Sequence, residues 1–331
     1  VLERLVAAAD DSLPLSPLFV LVACEALLRY PDGFASEQLA TVFVRLAQLP
    51  TTEFCSSVVS DPVDGTETLP TVADVVMRAE LPFLLSLVLA SQPVARQWQT
   101  IAAAAVADCL DTSTDTDGTL DAALAREAAQ WLFPFVRIAG WAKSFKQSWA
   151  IGKSTTRWLD TLGRLAALAT PAGFVTSNRT APPSGHGDAP SDIQLLATAV
   201  GLTDSAAETG LPTLLAALAD GKRPPGKHKK AGKKSGASAN LSSQSDWATS
   251  AVLRNTLRVD ADVIHVDWDR RTTSLDLAAL GSRMFGSDWK YRITTNGQPC
   301  AATGDWVCTC LFHDKEVAFA ELESGSADGL R

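Results

Sequence analysis

The sequence predicts a mainly α-helical N-terminal domain, an α/α toroid or a helical-hairpin solenoid, followed by the start of an antiparallel β-sandwich. Two observations predict the helices: residues 1–170 are rich in Ala and Leu, and their apolar residues recur at helical spacing on wide faces. A third predicts the sandwich, because short alternations of apolar and polar residues follow Ser245, and Asn296-Gly297 is a strong hairpin signal.

Breaks in the apolar periodicity delimit the helices. Pro31-Asp32-Gly33 ends one helix, and the turn-rich stretch 111–118 ends another. Pro82 and Pro134 fall inside helical patterns, where proline kinks a helix or lies in its first turn. We expect helices at 2–10, 16–30, 36–48, 71–90, 93–110, 119–139, 141–169, 192–200 and 211–219.

The strands of the predicted sandwich begin with Val263–Trp268 and Ser274–Leu277. Further strands are expected at 289–294, 306–312 and 317–322. Because successive side chains on a strand alternate between its faces, Trp306, Cys308, Cys310 and Phe312 are expected to share one face.

Charge is distributed unevenly along the chain and suggests its domains. Residues 1–136 carry 6 basic and 18 acidic residues, a net charge of −12, whereas 137–164 carry 6 basic and 1 acidic residue, a net charge of +5. Residues 221–240 carry 7 basic and no acidic residues among Gly, Pro and Ser, which is typical of a flexible linker. We predict an all-helical α/α domain at 1–220, a basic linker at 221–244 and a β-sandwich domain at 245–331.

The chain of 331 residues begins at Val1 without a Met and ends just after a strand-like run. We therefore expect an internal piece of a longer protein, with the sandwich continuing past Arg331; no signal distinguishes a cytoplasmic from a periplasmic location.

The formal net charge of −8 argues against a general nucleic-acid-binding protein. Apolar runs fall short of the roughly 20 residues that span a bilayer, so no membrane span is predicted.

The segment 135–164 contains the candidate binding residues. Its aromatic residues follow helical spacing, and a basic face accompanies them in an otherwise acidic helical region. This pattern fits a core-facing stripe with a solvated basic face, and it also fits one wall of a groove for an anionic polymer. The substrate-binding residues of the second interpretation are Trp141, Lys143, Lys146, Trp149 and Arg157.

The sequence predicts neither a metal nor a cofactor. The four His residues are scattered, and none belongs to a metal-binding helix motif. Cys308-x-Cys310 with His313 is the closest approach to a ligand cluster, and thiols on the apolar side of a strand explain it more simply. The oligomeric state is not indicated.

Two C-terminal segments resemble the start of the β-domain in bacterial heparinase II/III-like polysaccharide lyases and their uncharacterised relatives. The first is Ser245-Asp246-Trp247-Ala248-Thr249-Ser250-Ala251-Val252-Leu253-Arg254, followed by Asp260-Ala261-Asp262. The second is Gly304-Asp305-Trp306-Val307-Cys308-Thr309-Cys310-Leu311-Phe312-His313-Asp314, followed by Ala318–Glu323. The likeness covers about 80 residues at the C-terminus. Over 1–220 the chain resembles the family only in architecture, with a helical domain followed by a linker and a β-domain.

The resemblance implies a protein that acts on or binds an anionic, uronic-acid polysaccharide, by β-elimination if it is active. In that reaction a base removes the proton next to the carboxylate, and a Tyr or His protonates the leaving oxygen. The helical region has one Tyr, Tyr30, and no His before His186, so no catalytic residue is assigned. A non-catalytic glycan-binding or scaffold protein, and an α-solenoid interaction module, are the alternatives.

Overall fold

The computed structural model of the chain describes residues 16–33, 35–49, 69–176, 191–204, 206, 211–220, 241–254, 260–268, 273–286, 294–295, 298–299, 305–313 and 318–324. The predicted helix at 2–10 and the predicted strand at 289–293 lie outside them. The chain divides into two compact units. Unit 1 comprises Val1–Thr112 and Phe133–Thr155, and unit 2 comprises Ser113–Leu132 and Thr156–Arg331. The domain boundaries near 220 and 245 stay a prediction.

The described helices follow most of the predicted ones. In chain order they are α1 Pro17–Arg29, α2 Ser36–Ala47, α3 Val72–Val75, α4 Leu81–Val88, α5 Ala95–Ser113, α6 Ala122–Ala125, α7 Ala128–Phe145, α8 Lys153–Leu168, α9 Asp192–Leu202 and α10 Leu211–Asp220. A π-helical turn, Val76–Glu80, joins α3 to α4. None of the described helices is both long and apolar enough to cross a membrane.

Local chemistry explains several helix ends in unit 1. The Ser16 side chain accepts the backbone N–H of Phe19 and caps α1. Thr71 and Asp74 form a reciprocal capping box at α3. Pro82 is the second residue of α4 and directly follows the π-helical turn, one of the two placements that the sequence left open for it.

The core of unit 1 forms between helices that are distant in sequence. Apolar side chains from α1, α2, α4 and the start of α5 are buried together, with Trp141 of α7 packed against them at partial exposure. The buried members are Val20, Ala23, Cys24, Leu27, Val42, Leu46, Leu81, Leu84, Leu85, Leu89, Ala95 and Trp98.

Unit 2 contains the strands and part of the helices. The strands are β1 Ala169–Thr170, β2 Gly173–Phe174, β3 Ser243–Ser245, β4 Ser250–Arg254, β5 Val263–Trp268, β6 Thr273–Ala279, β7 Ser282–Phe285, β8 Thr294–Thr295, β9 Gln298–Pro299, β10 Trp306–His313 and β11 Ala318–Ser324. Strands β3 to β7 form one antiparallel sheet in sequence order, and β1–β2, β8–β9 and β10–β11 form two-stranded sheets. The pairing of Thr295 with Gln298 brackets Asn296-Gly297 at the position predicted for a hairpin.

The two faces of the five-stranded sheet differ in polarity. Register places Ser243, Val252, His265 and Asp276 side by side on one face, where all four are buried. The opposite face contributes Ala251 and Trp268 to an apolar cluster with Cys308, Trp306, Ala320 and Leu322 of the β10–β11 hairpin.

The predicted toroid or solenoid and the predicted sandwich are wrong for the described residues. Stacked hairpins would pack each helix on its neighbour in sequence, whereas α1 packs on the distant α4. In unit 2, the buried polar face of the sheet contacts a helix rather than a second sheet, because Arg254 of β4 bonds to backbone carbonyls at the end of α8. The observed architecture is a mixture of helices and small antiparallel sheets.

Two finer predictions are also wrong. The sequence placed a helix break near residue 140, but α7 continues through Pro134 to Phe145, and the break falls at 146–152. The shared face of Trp306, Cys308, Cys310 and Phe312 fails because a β-bulge between Cys308 and Cys310 shifts the register by one residue. Cys308 is therefore buried in the apolar cluster, whereas Phe312 is exposed and pairs with Phe319 across the strands.

Candidate functional site

Four of the five predicted site residues lie together in sequence within unit 1. Trp141 and Lys143 belong to the last turns of α7, and Lys146 and Trp149 lie in the segment that follows it. Arg157, on α8, belongs to unit 2. We name the α7-end surface by its residues Trp141, Lys143, Phe145, Lys146 and Trp149.

Trp141 is half-buried and joins the α7-end surface to the core of unit 1. One part of its ring packs against the core of unit 1. The ring centroid of Phe145 lies 6.1 Å from that of Trp141, and the guanidinium carbon of Arg29 lies 5.4 Å from the Trp141 centroid. Arg29 thus covers part of the ring that a sugar would otherwise stack on, so Trp141 acts as a platform for a cation.

Lys143 and Lys146 are exposed, and their backbone ends the helix. The N–H of Lys146 donates to the carbonyl of Lys143, and the N–H of Gln147 donates to the carbonyl of Ala142. These two bonds define a Schellman cap, which requires a left-handed residue at the position Lys146 occupies. Lys146 accordingly has φ 54°, one of few non-glycine residues with positive φ among the described ones.

Trp149 anchors the segment that follows the cap. Its ring centroid lies 6.4 Å from that of Phe135, a buried residue of α7, and the indole is half-buried. On either side of Trp149, the Phe145 and Ile151 side chains are 40% and 65% exposed. The surface therefore combines exposed cations with partly exposed apolar groups.

Arg157 forms hydrogen bonds within unit 2 that give it a structural role. Its Nη1 donates to the backbone carbonyl of Thr114 at 3.2 Å and to that of Asp115. One helical turn further on, Arg164 donates to the carboxylate of Asp117 at 2.7 Å. The two arginines hold the turn at 114–120 against α8, so we leave Arg157 out of the α7-end surface, and its part in binding stays a prediction.

Sequence reasoning missed an arginine–carboxylate network in unit 1. Arg137 of α7 donates from Nε to Glu80 at 2.5 Å and from Nη2 to Glu25 of α1. Arg29 lies 4.0 Å from the same oxygen of Glu25. Glu80 is buried at the end of the π-helical turn, a deviation often associated with function. The sequence did contain one signal of this buried network, because Glu80 is a charged residue that directly precedes the long apolar run 81–90.

The environment of Glu80 favours its protonated form. Burial raises its pKa from the ordinary 4.5 to about 7, and the neighbouring Arg137 opposes this only in part. A carboxyl group with such a pKa could exchange a proton at neutral pH. Its side chain is only 1% exposed, however, so a substrate does not reach it in this conformation.

A pH-dependent stability follows from Glu80. The pKa of Glu80 is about 7 in the folded state and 4.5 in the unfolded state, so between pH 4.5 and about pH 7 the folded state binds more protons than the unfolded state. The stability that is fully present below pH 4.5 is therefore lost as the pH rises through about 7. Relative to a Glu80→Gln variant, the natural protein should lose about 3 kcal/mol of unfolding free energy over that interval. Urea unfolding of both proteins at pH 5 and pH 8 measures the difference, and a constant difference would contradict the assignment.

A second polar cluster lies on the buried face of the sheet in unit 2. His265 Nδ1 lies 3.4 Å from Asp276 Oδ2 on the neighbouring strand and 3.9 Å from Asp267 Oδ2 on its own strand. Arg126 pairs with Asp267, and Arg283 pairs with Asp276 at 2.9 Å. Burial raises the pKa of Asp267; for Asp276 burial acts in the same direction, but His265 and Arg283 outweigh it and lower the pKa.

The His265, Asp267 and Asp276 ligand atoms lie within 4.8 Å of one another, close enough to hold a metal ion. The electrostatics favour another interpretation, because each carboxylate already has an arginine partner and a dication would add buried positive charge. We interpret the cluster as a polar network that fixes strand register. Alternation along β5 puts His265 and Asp267 on one face, and Asp276 joins them through strand pairing.

A small cavity lies beside His265. It is enclosed by α8, the 114–120 turn and the polar face of the sheet, and its lining includes Thr119, Arg164, Ser243, Ser250, Val252 and His265. Its size suits water rather than a sugar.

Comparisons of the chain with protein-family models, with curated proteins and with solved structures give no match. The resemblance to heparinase II/III-like lyases therefore stays a prediction from two short segments.

Proposed function

We propose that this protein binds an anionic, uronic-acid polysaccharide at the α7-end surface. The observation that carries the proposal is the exposed ammonium group of Lys146, which a left-handed backbone places at the end of α7 beside partly exposed aromatic rings. A glycine at this cap position would be more favourable by about 1 kcal/mol. Because the exposed Leu280 shares this backbone conformation, the charge of Lys146 and its aromatic neighbours, rather than the backbone alone, indicate a binding role.

The neighbours of Lys146 suit a charged carbohydrate. Lys143 precedes it by one helical turn and is exposed, and Phe145 and Trp149 supply partly exposed aromatic rings. Ammonium groups attract carboxylates without requiring one fixed geometry, and aromatic rings pack against the apolar faces of sugars. This combination favours a flexible polyanion that carries apolar surface.

The resemblance adds β-elimination as the reaction if the protein is active. That chemistry needs a base at the carbon next to the carboxylate and an acid at the leaving oxygen. We assign no residue to either role, so the proposal concerns binding first. The same experiment can register cleavage, because the unsaturated sugar end absorbs ultraviolet light.

The test uses the Lys146→Gly variant, for which two effects of opposite sign are expected. Relief of the left-handed backbone should raise the unfolding free energy by about 0.5–1 kcal/mol. Loss of the ammonium group should weaken binding of a hexuronate oligosaccharide about three- to five-fold at 0.15 M salt. Thermal unfolding and titration calorimetry on the full chain measure the two effects.

Leu280→Gly is the matched control. Leu280 also has positive φ, at 52°, and its side chain is 82% exposed in the turn between β6 and β7. This variant should be stabilised to a similar degree and should bind like the natural protein. Unchanged binding by Lys146→Gly would contradict the proposal.

The basic segment 221–234 is the main competing explanation for polyanion binding. A variant with serine in place of Lys227, Lys229, Lys230, Lys233 and Lys234 separates the two. If it loses binding while Lys146→Gly retains it, the segment is the binding site and the proposal is wrong. Single-stranded DNA as a competitor tests selectivity, since charge alone would let it displace the oligosaccharide.

A further inference from the structure

Arg29 is an exposed cation that its neighbouring carboxylate neutralises only weakly. Its side chain is 52% exposed, and its guanidinium lies 4.0 Å from Glu25, at the outer limit of an ion pair. The same Glu25 oxygen is contacted closely by Arg137. Because Arg137 holds Glu25, the carboxylate neutralises Arg29 only weakly.

Trp141 holds the Arg29 guanidinium in place. The guanidinium carbon lies 5.4 Å from the centroid of the indole, which is itself packed against the core. A guanidinium held over an aromatic ring loses less freedom on binding than one in solvent. The guanidinium of Arg29 at the end of α1 is thus preorganised by Trp141.

The charge of the surrounding network also favours an anion. Arg29 and Arg137 contribute two positive charges, and Glu25 contributes one negative charge. The fourth member, Glu80, is a buried carboxyl whose pKa of about 7 leaves it partly neutral at physiological pH. The network therefore carries a net positive charge between zero and one.

From this geometry we infer that Arg29, held over Trp141, extends the α7-end surface and is the residue that binds the carboxylate of the ligand. The inference depends on the proposed function and makes it more specific: the ligand group is the planar carboxylate of a hexuronate, bound by the paired donors of one guanidinium. A lysine in the same place would supply the charge but not the paired donors.

The test compares an unsulfated hexuronate oligosaccharide with the same oligosaccharide after reduction of its carboxyl groups to alcohols. The natural protein should prefer the charged form. Arg29→Ala should bind the charged form about ten-fold more weakly and lose most of this preference. Arg29→Lys should recover only part of it, because a point charge cannot bind both carboxylate oxygens in parallel.

Arg78→Ala is the matched control. Arg78 is a surface arginine of the same unit, paired with Asp108 at 2.5 Å, and its side chain is 30% exposed. The Arg78→Ala variant should prefer the charged oligosaccharide over the reduced one as strongly as the natural protein does. Thermal unfolding checks that every variant is folded.

The possible outcomes separate the two proposals. If Arg29→Ala keeps the preference while Lys146→Gly weakens binding, the role of Arg29 is wrong and the binding surface stands. If Arg29→Lys matches the natural protein, paired donors are not required and the inference is wrong in that respect. If the natural protein binds neither oligosaccharide, both proposals are wrong.

Discussion

Replacing Arg254 with Met is expected to lower the free energy of unfolding by about 4 kcal/mol. Arg254 of β4 is only 2% exposed, and its Nη1 donates to the carbonyls of Ala166, Ala167 and Ala169 at 3.2, 3.1 and 2.8 Å. These carbonyls lie at the C-terminal end of α8, where backbone acceptors lack helical partners and the helix dipole is negative. Methionine fills the space but leaves them buried without a donor.

Arg254 remains a cation despite its burial. Removal from water lowers its pKa to about 10, which is still well above neutrality. The charge thus stabilises the helix end at physiological pH. Hydrogen exchange should show the effect locally, with the amides of 165–168 losing protection before those of the first turns of α8.

Two variants control this prediction. Arg254→Lys keeps the charge and some donors, so it should lose roughly half as much stability. Arg78→Met removes a surface arginine whose pair with Asp108 is largely exposed to water, and it should cost less than 1 kcal/mol. Equal losses for Arg254→Met and Arg78→Met in urea unfolding would show that the buried contacts contribute little.

Replacing Gly118 with Ala is expected to cost about 4 kcal/mol as well. Gly118 has φ 84°, and a Cβ atom there would lie 2.5 Å from backbone atoms of Asp160 and Thr161 in α8. Backbone atoms in the middle of a helix do not give way, so the turn at 114–120 would move off the helix. The contacts of Arg157 and Arg164 with that turn would be lost with it.

Two other glycines separate the causes of this loss. Gly152 also has positive φ, at 61°, but a Cβ there meets nothing within 4 Å, so Gly152→Ala should show the backbone cost of 1–2 kcal/mol alone. Gly163 is in the same helix, α8, with no close neighbour for a Cβ, so Gly163→Ala should stabilise by about 0.5–1 kcal/mol. If Gly118→Ala costs no more than Gly152→Ala, the close approach to α8 is not a constraint.

The elements of this protein could be read from local pattern, because helix ends and hairpins depend on neighbouring residues. The helix around Pro82 and the strand at Val263–Trp268 were both predicted. The β-bulge at Cys308 and the continuation of α7 past residue 140 to Phe145 were not, since each depends on what packs against the strand or helix. The same limit applies to the site. Lys143 and Lys146 could be selected because they lie in a basic, aromatic segment, whereas Arg29 is distant in sequence and reaches Trp141 only through helix packing.

The sequence by itself determined most of the described helices, several of the strands, and which short stretch combines cations with aromatic residues. Only the tertiary structure decided what those segments pack against and which charges remain available. Arg157 and Arg29 are both basic residues on helices, yet the fold directs one to backbone carbonyls and stacks the other on Trp141. Hydrogen bonding and stacking over such sequence distances follow from packing, and no local periodicity encodes them.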